Sequence, residues 1–391
     1  MSENNDAVKF AYWVPNVSGG LVVSKIEQRT DWGLEYNQEL ARIAERSGFE
    51  YALSQVRYMA SYGAEYQHES TSISLAIALA TEKLKVIAAI HPGLWHPAVL
   101  AKFVASADVM TGGRFCVNVV SGWFKGEFTA LGEQWLEHDE RYRHSEEFIR
   151  VLKASWTEDE AEFMGDFYRL HGYNLNPKPF AVEGRLHPEV FQGGNSTGAR
   201  EMAGRVSDWY FMNGNSPEGV AAQIEEVSGY ARAAGREPRT DIRFGLNAFI
   251  VARETEAEAR ETVEEIIAKA DTEAVKGFGD AVKQAGQSTG DKKGMWQDSE
   301  FKDLVQYNDG FRTGLIGTPE QIARKIVDYR EQGVGLILGG FLHFQEDLER
   351  FGREVIPMVR ELEVENGLDP AAVPDPGAGL SEEDPALSVA G

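Results

Sequence analysis

The residues with the clearest chemical meaning lie in one short stretch, Gln192-Gly193-Gly194-Asn195-Ser196-Thr197-Gly198-Ala199-Arg200. Two glycines follow an apolar run, then two hydroxyls, then a helix starting near Ala199. Glycines let a ligand approach the backbone. Hydroxyls and unpaired N–H groups at a helix start can hold a phosphate, whose charge the helix dipole favours. The same residues also read as a tight turn with Ser196 or Thr197 as N-cap. A second stretch, His138-Asp139-Glu140-Arg141-Tyr142, begins another helix. With Asp139 as N-cap, Tyr142 falls in the first turn and its phenol could reach a phosphate. A plain surface helix start is the other reading. In the third, Asn118-Val119-Val120-Ser121-Gly122, alternation puts Asn118 and Val120 on one side and Val119 and Ser121 on the other. A buried unpaired amide costs roughly 1–3 kcal/mol, so Asn118 needs a partner. A ring ligand rich in donors and acceptors would supply one, and so would a loop backbone. Trp13, in an aromatic run that ends at a Gly turn, either walls a pocket or is simply core.

Eight short apolar runs must position these groups: Phe10–Val14, Tyr51–Val56, Lys85–Ile90, Arg114–Val120, Pro188–Gln192, Trp209–Met212, Arg243–Val251 and Val334–Leu338. Several are continuous rather than alternating, the pattern of a parallel strand buried on both faces. Helix patterns lie between them. Tyr36, Leu40, Ile43 and Ala44 share one face, and Gly48 suits a left-handed cap. Ser216-Pro217-Glu218 and Thr318-Pro319-Glu320 each offer an N-cap hydroxyl, a Pro at the first position and an acid in the first turn. Eight strands each leading to a helix predict a (β/α)8 TIM barrel. Three stretches read as insertions: 122–139, 160–179 (a small hairpin) and 270–314, a long polar Gly-rich loop. Residues 1–366 then form a single domain, and 367–391 an acidic, Pro-rich, disordered tail.

The chain has 62 acidic and 39 basic residues, a net charge of −23, which excludes nucleic acid and anionic membrane surfaces as partners. Its one cysteine, Cys116, reads as a small buried hydrophobe. No apolar run reaches the roughly 18 residues of a membrane span, and no secretory leader is visible, so a cytoplasmic location is expected. Nucleotide-binding, P-loop, zinc-protease and serine-hydrolase motifs are absent. His91 and His96 lack ligand partners at metal-site spacing, so no metal is expected.

Six stretches together carry a resemblance: FAYWVPNVSGGLVVSKIEQRTDWG, VNVVSGWFKGEF, GEQWLEHDERYRHSEEFI, FGLNAFIVARET, LVQYNDGFRTGLIGTPEQIA and GFLHFQEDLERFGREV. From Phe10 to about Glu363 the chain resembles the bacterial luciferase-like superfamily of flavin-dependent two-component monooxygenases. Within it, the chain resembles the alkanesulfonate monooxygenase branch and its sulfone-oxidising members. The resemblance implies a (β/α)8 barrel that uses FMN as FMNH2, supplied by a separate NAD(P)H-dependent FMN reductase. With O2 it would oxidise a small organosulfur substrate, dimethyl sulfone giving methanesulfinate and formaldehyde. An alkanesulfonate monooxygenase and a non-catalytic flavin-binding barrel are the alternatives. The family is expected to assemble as a homo-oligomer, dimer or tetramer.

The family pattern puts the FMN phosphate on Ser196, Thr197 and Tyr142, with Gly194 beside it, and puts Asn118 and Ser121 near the ring. Sulfonate enzymes carry an Arg and a His where Asn247 and Phe249 stand here, and a Tyr where Phe341 stands. Loss of the cation fits a neutral sulfone, whose oxygens ask only for donors. Trp13, Gln55, Asn247, Phe249 and Phe341 are therefore expected around the substrate, with His68 a weaker candidate. Arg312 is expected as a lid anchor or a surface cation. His343 is expected as a general acid or base, or as a cap on the last helix.

Overall fold

The structure, a computed structural model, describes residues 7–60, 63–122, 124–286, 299–306 and 308–367. Eight parallel strands close into a barrel: β1 (Lys9–Val14), β2 (Tyr51–Ser54), β3 (Lys85–Ile90), β4 (Phe115–Val119), β5 (Val190–Gly193), β6 (Trp209–Met212), β7 (Arg243–Phe249) and β8 (Leu336–Gly340). Each pairs with its neighbour in sequence, and β8 pairs back onto β1 with Phe10 opposite Ile337. All eight strands fall within or at the edge of the apolar runs. Helices α1 (Leu34–Arg46), α2 (Ser70–Ala78), α3 (Pro97–Met110), α4 (His138–Thr157), α5 (Thr197–Val206), α6 (Pro217–Ala233), α7 (Pro319–Glu331) and α8 (Ile356–Glu365) follow the strands in turn. Short helical turns, Phe344–Arg350 and Phe351–Val355, precede α8.

Local signals explain the boundaries. Ser216 Oγ accepts from the Gly219 N–H at the start of α6. Thr318 and Gln321 form a reciprocal capping box at the start of α7. Glu137 occupies the N-cap of α4, so Asp139 lies one step inside the helix.

Side-chain parity divides the core. Ala11, Leu53, Ile87, Cys116, Phe191, Trp209, Phe211 and Leu338 fill the lumen, and the alternate residues face the helices. At the N-terminal end of the barrel a buried carboxylate closes the lumen. Glu189 accepts from Lys85 Nζ at 3.1 Å, Arg243 Nη2 at 2.7 Å, Trp209 Nε1 at 2.9 Å and the Tyr51 hydroxyl at 3.0 Å. Burial alone would raise the Glu189 carboxyl; Lys85 and Arg243 outweigh it and hold the group down at about 2.

Beyond the barrel, Ala161–Met164 pairs antiparallel with Arg169–Tyr173. The stretch read as one long loop from 270 is helical over Thr272–Gly286, then again at Phe301–Leu304 and as a turn at Gly310–Thr313. Val275 and Phe278, three residues apart, are both buried. That apolar pair anchors the helix despite the neighbouring glycines. Residues 287–298 and the tail from 368 lie outside the described residues. Among the described residues no helix is long and apolar enough to cross a membrane.

Candidate active site

A cavity of about 160 Å³ opens at the C-terminal end of the barrel, where inward-facing residues of successive strands converge. A single ordered water needs roughly 10–15 Å³, so the space suits an organic ligand. Five of the residues expected around a ligand line it: Trp13, Gln55, Asn118, Gly194 and Asn247. They come from five different strand ends.

Two hydrogen bonds organise one wall. Trp13 Nε1 donates to Asn247 Oδ1 at 2.6 Å, and Asn247 Nδ2 donates to the Asn308 carbonyl at 3.0 Å. Asn247 thus joins β1 and β7 to the covering segment. That segment also brings Phe278, Gln306 and Asn308 to the cavity. It approaches closely because Gly214 has no side chain: a Cβ there would lie 2.1 Å from the Asp309 carbonyl oxygen. Asp309, at φ +55°, is a left-handed non-glycine residue. Ser299 Oγ donates to its carboxylate at 2.6 Å and Asn213 Nδ2 at 3.2 Å. Burial pushes the Asp309 carboxyl up to about 6, against the Ser299 bond and the Arg312 charge.

The lining also carries buried polar atoms without a hydrogen-bond partner among the described residues. Asn118 Oδ1 and Gln55 Nε2 are two of them, an acceptor and a donor in the lining of one cavity. Such orphans are expensive unless a ligand completes them.

Gly193 and Gly194, which line the cavity, lead the chain into the start of α5. Ser196 is the N-cap, its Oγ accepting from the Ala199 N–H at 3.3 Å, and Thr197 opens the helix. The loop is held from behind by Tyr210, whose hydroxyl donates to the Gly194 carbonyl at 2.5 Å, and by Gln223, which donates to Asn195 Oδ1 at 3.0 Å. Tyr142 packs on this first turn, its ring 3.0 Å from where a Gly198 Cβ would stand. Ser196, Thr197 and Tyr142, from two distant stretches, are therefore brought together at one helix N-terminus.

Other expected residues lie elsewhere. Ser121 faces a neighbouring cleft with Trp135 and Arg141, and its buried Oγ has no partner among the described residues. Phe249 turns under the Gly310–Thr313 turn, its ring edge-on to Phe311 at 5.2 Å, and supports the cover rather than the wall. Phe341 is out of phase with the lumen: Leu338 faces in, so Phe341 packs outside with Phe49, Phe344 and Phe351. His343 sits in a separate surface cleft, its Nδ1 paired with Arg29 at 2.5 Å and its Nε2 3.1 Å from the Glu27 carbonyl. It occupies the N-cap position of Phe344–Arg350 without a side-chain cap bond. The expectation of a general acid or base there is corrected. Arg312 does not line the cavity; it binds Asp303 at 2.7 Å and buttresses the segment that does. His68 packs against Trp32 instead, the two rings tilted at 44°.

Residues not singled out in the sequence complete the lining: Arg57, Phe211, Met212, Asn213, Phe278, Gln306 and Asn308. Phe211 and Asn213 could have been found from strand parity, being in phase with Trp209.

A family model described as luciferase-like monooxygenase matches residues 8–335. The FMNH(2)-dependent dimethylsulfone monooxygenase of Pseudomonas putida is 64% identical over 358 residues, covering 92% of this chain and 97% of that protein. The protein of the same description from Pseudomonas fluorescens (strain Pf0-1) is 59% identical, covering 92% of this chain and 96% of that protein. Among solved structures, a long-chain alkane monooxygenase (LadA) matches with a TM-score of 0.78 at 17% identity, covering 93% of this chain and 92% of that one. That likeness speaks for the fold.

Proposed function

The chain belongs to the luciferase-like monooxygenase family, and from that membership we propose that it is an FMNH2-dependent monooxygenase of dimethyl sulfone. The products are methanesulfinate and formaldehyde, and a separate NAD(P)H-dependent reductase supplies the reduced flavin. The carrying observation is the 64% identity over nearly the whole of both chains, seated on a cavity built for such a ligand.

The residues present fit FMN. Asn118 Oδ1 offers an orphaned acceptor to the edge of a heteroaromatic ring, and Gln55 Nε2 keeps an orphaned donor for the substrate. Thr197, Ser196, Tyr142 and the first-turn N–H groups of α5 hold the phosphate. When bound, reduced FMN supplies the electrons that activate O2. The chain's own residues do the rest. Trp13, Phe211, Met212 and Leu338 make an apolar wall, and Phe278, Gln306 and Asn308 cover it, which keeps water away from the reacting centre. Amide groups such as that of Gln55 suit the uncharged oxygens of a sulfone. Trp13 and Asn247 hold each other in place, so the wall is preorganised before substrate arrives. We also propose a homo-oligomer in the cytoplasm.

The test is a reconstituted assay with protein, FMN, NADH, a flavin reductase, air and dimethyl sulfone. Formaldehyde formed only with every component present supports the proposal; its absence overturns the substrate. Arg57 in the lining favours one second reading, an anionic sulfonate as substrate. Consumption of an alkanesulfonate, with dimethyl sulfone untouched, would establish it.

A further inference from the structure

Behind the cavity wall lies a pair of buried titratable groups that the proposed reaction leaves unused. His91 directly follows β3, and Glu127 belongs to the short helix Lys125–Ala130 that follows β4. Each is 1% exposed. His91 Nδ1 lies 3.0 Å from the Val120 carbonyl, and its Nε2 lies 3.5 Å from Glu127 Oε2. The other carboxylate oxygen of Glu127 accepts from the Tyr58 backbone N–H, while Oε2 has no hydrogen-bond partner among the described residues. Phe128 covers the ring, and Arg57, which also lines the cavity, is the cation that faces it. The Tyr58 phenol, next to the carboxylate, is occupied by Trp95 Nε1 at 2.9 Å.

The proton count follows from geometry. A carbonyl only accepts, so Nδ1 carries a hydrogen and donates it to Val120. Nε2 is then bare if the ring is neutral, and burial does drive His91 toward its neutral form. A bare Nε2 and an ionised Oε2 would be two acceptors facing each other in a dry pocket. One proton between them removes the conflict, whichever atom holds it.

We propose that His91 and Glu127 share one proton and act as a positioning pair for the flavin wall. The proton ties the helix Lys125–Ala130 to the imidazole, and the imidazole ties the Val120 carbonyl. Val120 lines the cavity, two residues from Asn118 on the same strand end. Neither His91 nor Glu127 touches the ligand; both act through Val120. Loss of the proton leaves two acceptors in opposition, releases the helix and lets the end of β4 move.

The inference rests on the flavin reading only for its functional probe, so two measurements are needed. The first is histidine nitrogen NMR of the flavin-free protein, with His91→Asn to assign the signal. An Nδ1–H ring whose Nε2 shift changes in Glu127→Gln is the expected result. An Nε2–H ring with bare Nδ1, or no change in Glu127→Gln, overturns the pair. The second is FMN titration by flavin fluorescence from mildly acidic to alkaline pH. The wild type loses affinity as pH rises through the pair's loss of its proton, which the burial of His91 places on the acid side of an ordinary imidazole. Glu127→Gln keeps a donor for Nε2 and an acceptor for Tyr58 without titrating, so it binds FMN as the acid-side wild type does, with no pH dependence. Glu127→Leu binds about tenfold more weakly at every pH, the loss of roughly one hydrogen bond's worth of order. A Glu127→Gln profile parallel to the wild type overturns the proposal. If the wild type binds no FMN at all, the flavin reading fails and the NMR result alone decides the shared proton.

Discussion

Two atoms, Asn118 Oδ1 and Gln55 Nε2, show at the residue scale how a ligand site differs from a core. Both are buried without a partner in the lining of an organic-sized cavity. At the end proposed for the phosphate the groups are hydroxyls. Thr197→Ala and Tyr142→Phe should each weaken FMN binding about tenfold, since a hydrogen bond to a charged oxygen contributes about 1.5 kcal/mol or more. Riboflavin has no phosphate, so its affinity should be the same in wild type and variants. Equal losses for both ligands would place the phosphate elsewhere. On the substrate wall, Asn247→Leu removes the acceptor of Trp13 and the donor to Asn308. Formaldehyde yield per reduced flavin should fall about tenfold, as two positioning bonds are lost. An unchanged yield would leave Trp13 held by packing alone.

Elements decide which of these residues meet. The helix start was readable because a glycine pair, two hydroxyls and a helix pattern are local, and α5 begins at Thr197 as that pattern requires. Phe341 stands where a family strand-end motif has a Tyr, and His343 follows the same strand, yet neither lines the cavity. With Leu338 inside, Phe341 belongs to the helix-facing layer. The covering segment was read as loop because glycines and polar residues hid the Val275–Phe278 pair. Its docking has a pH signature. The Asp309 carboxyl is raised toward 6 in the fold against 3.8 in the open chain. The folded form therefore binds the proton more tightly, and docking weakens as pH rises from about 3.8 through about 6. After allowance for screening the change is on the order of 1–2 kcal/mol. Hydrogen-exchange protection of residues 308–312, corrected for intrinsic rates, should drop across that window, and Asp309→Asn should abolish the trend. A variant that keeps the slope would assign it to another group.

For the whole molecule, the barrel separates stability from function along its axis. The C-terminal end carries the cavity, and the N-terminal end carries Glu189 with Lys85, Arg243, Trp209 and Tyr51. The Glu189 carboxyl is depressed to about 2 from an ordinary 4.5. Its contribution is therefore complete above 4.5 and is lost as pH falls from there toward 2, about 3 kcal/mol in all. Glu189→Gln should lower unfolding free energy by about 3 kcal/mol near neutral pH, because the half-buried Lys85 and Arg243 are left without their anion. The gap to the wild type should narrow below pH 4.5. Denaturant titrations at the two conditions measure both; a constant gap would deny Glu189 its titrating role.

By itself the sequence determined the architecture and the chemistry class. Continuous apolar runs mark strands buried on both faces, N-cap and Pro pairs mark helix starts, and six stretches carry the family likeness. These signals survive in one dimension because each depends on neighbours a few residues apart. The tertiary structure decided what is inside. Whether Phe341 faces lumen or helix, whether Phe278 or His343 reaches the cavity, and whether Ser196 and Tyr142 share a site depend on strand phase and barrel closure. Closure joins Trp13 to Asn247 across 234 residues of chain. No local pattern records that distance, because the contact exists only once the eighth strand has paired with the first.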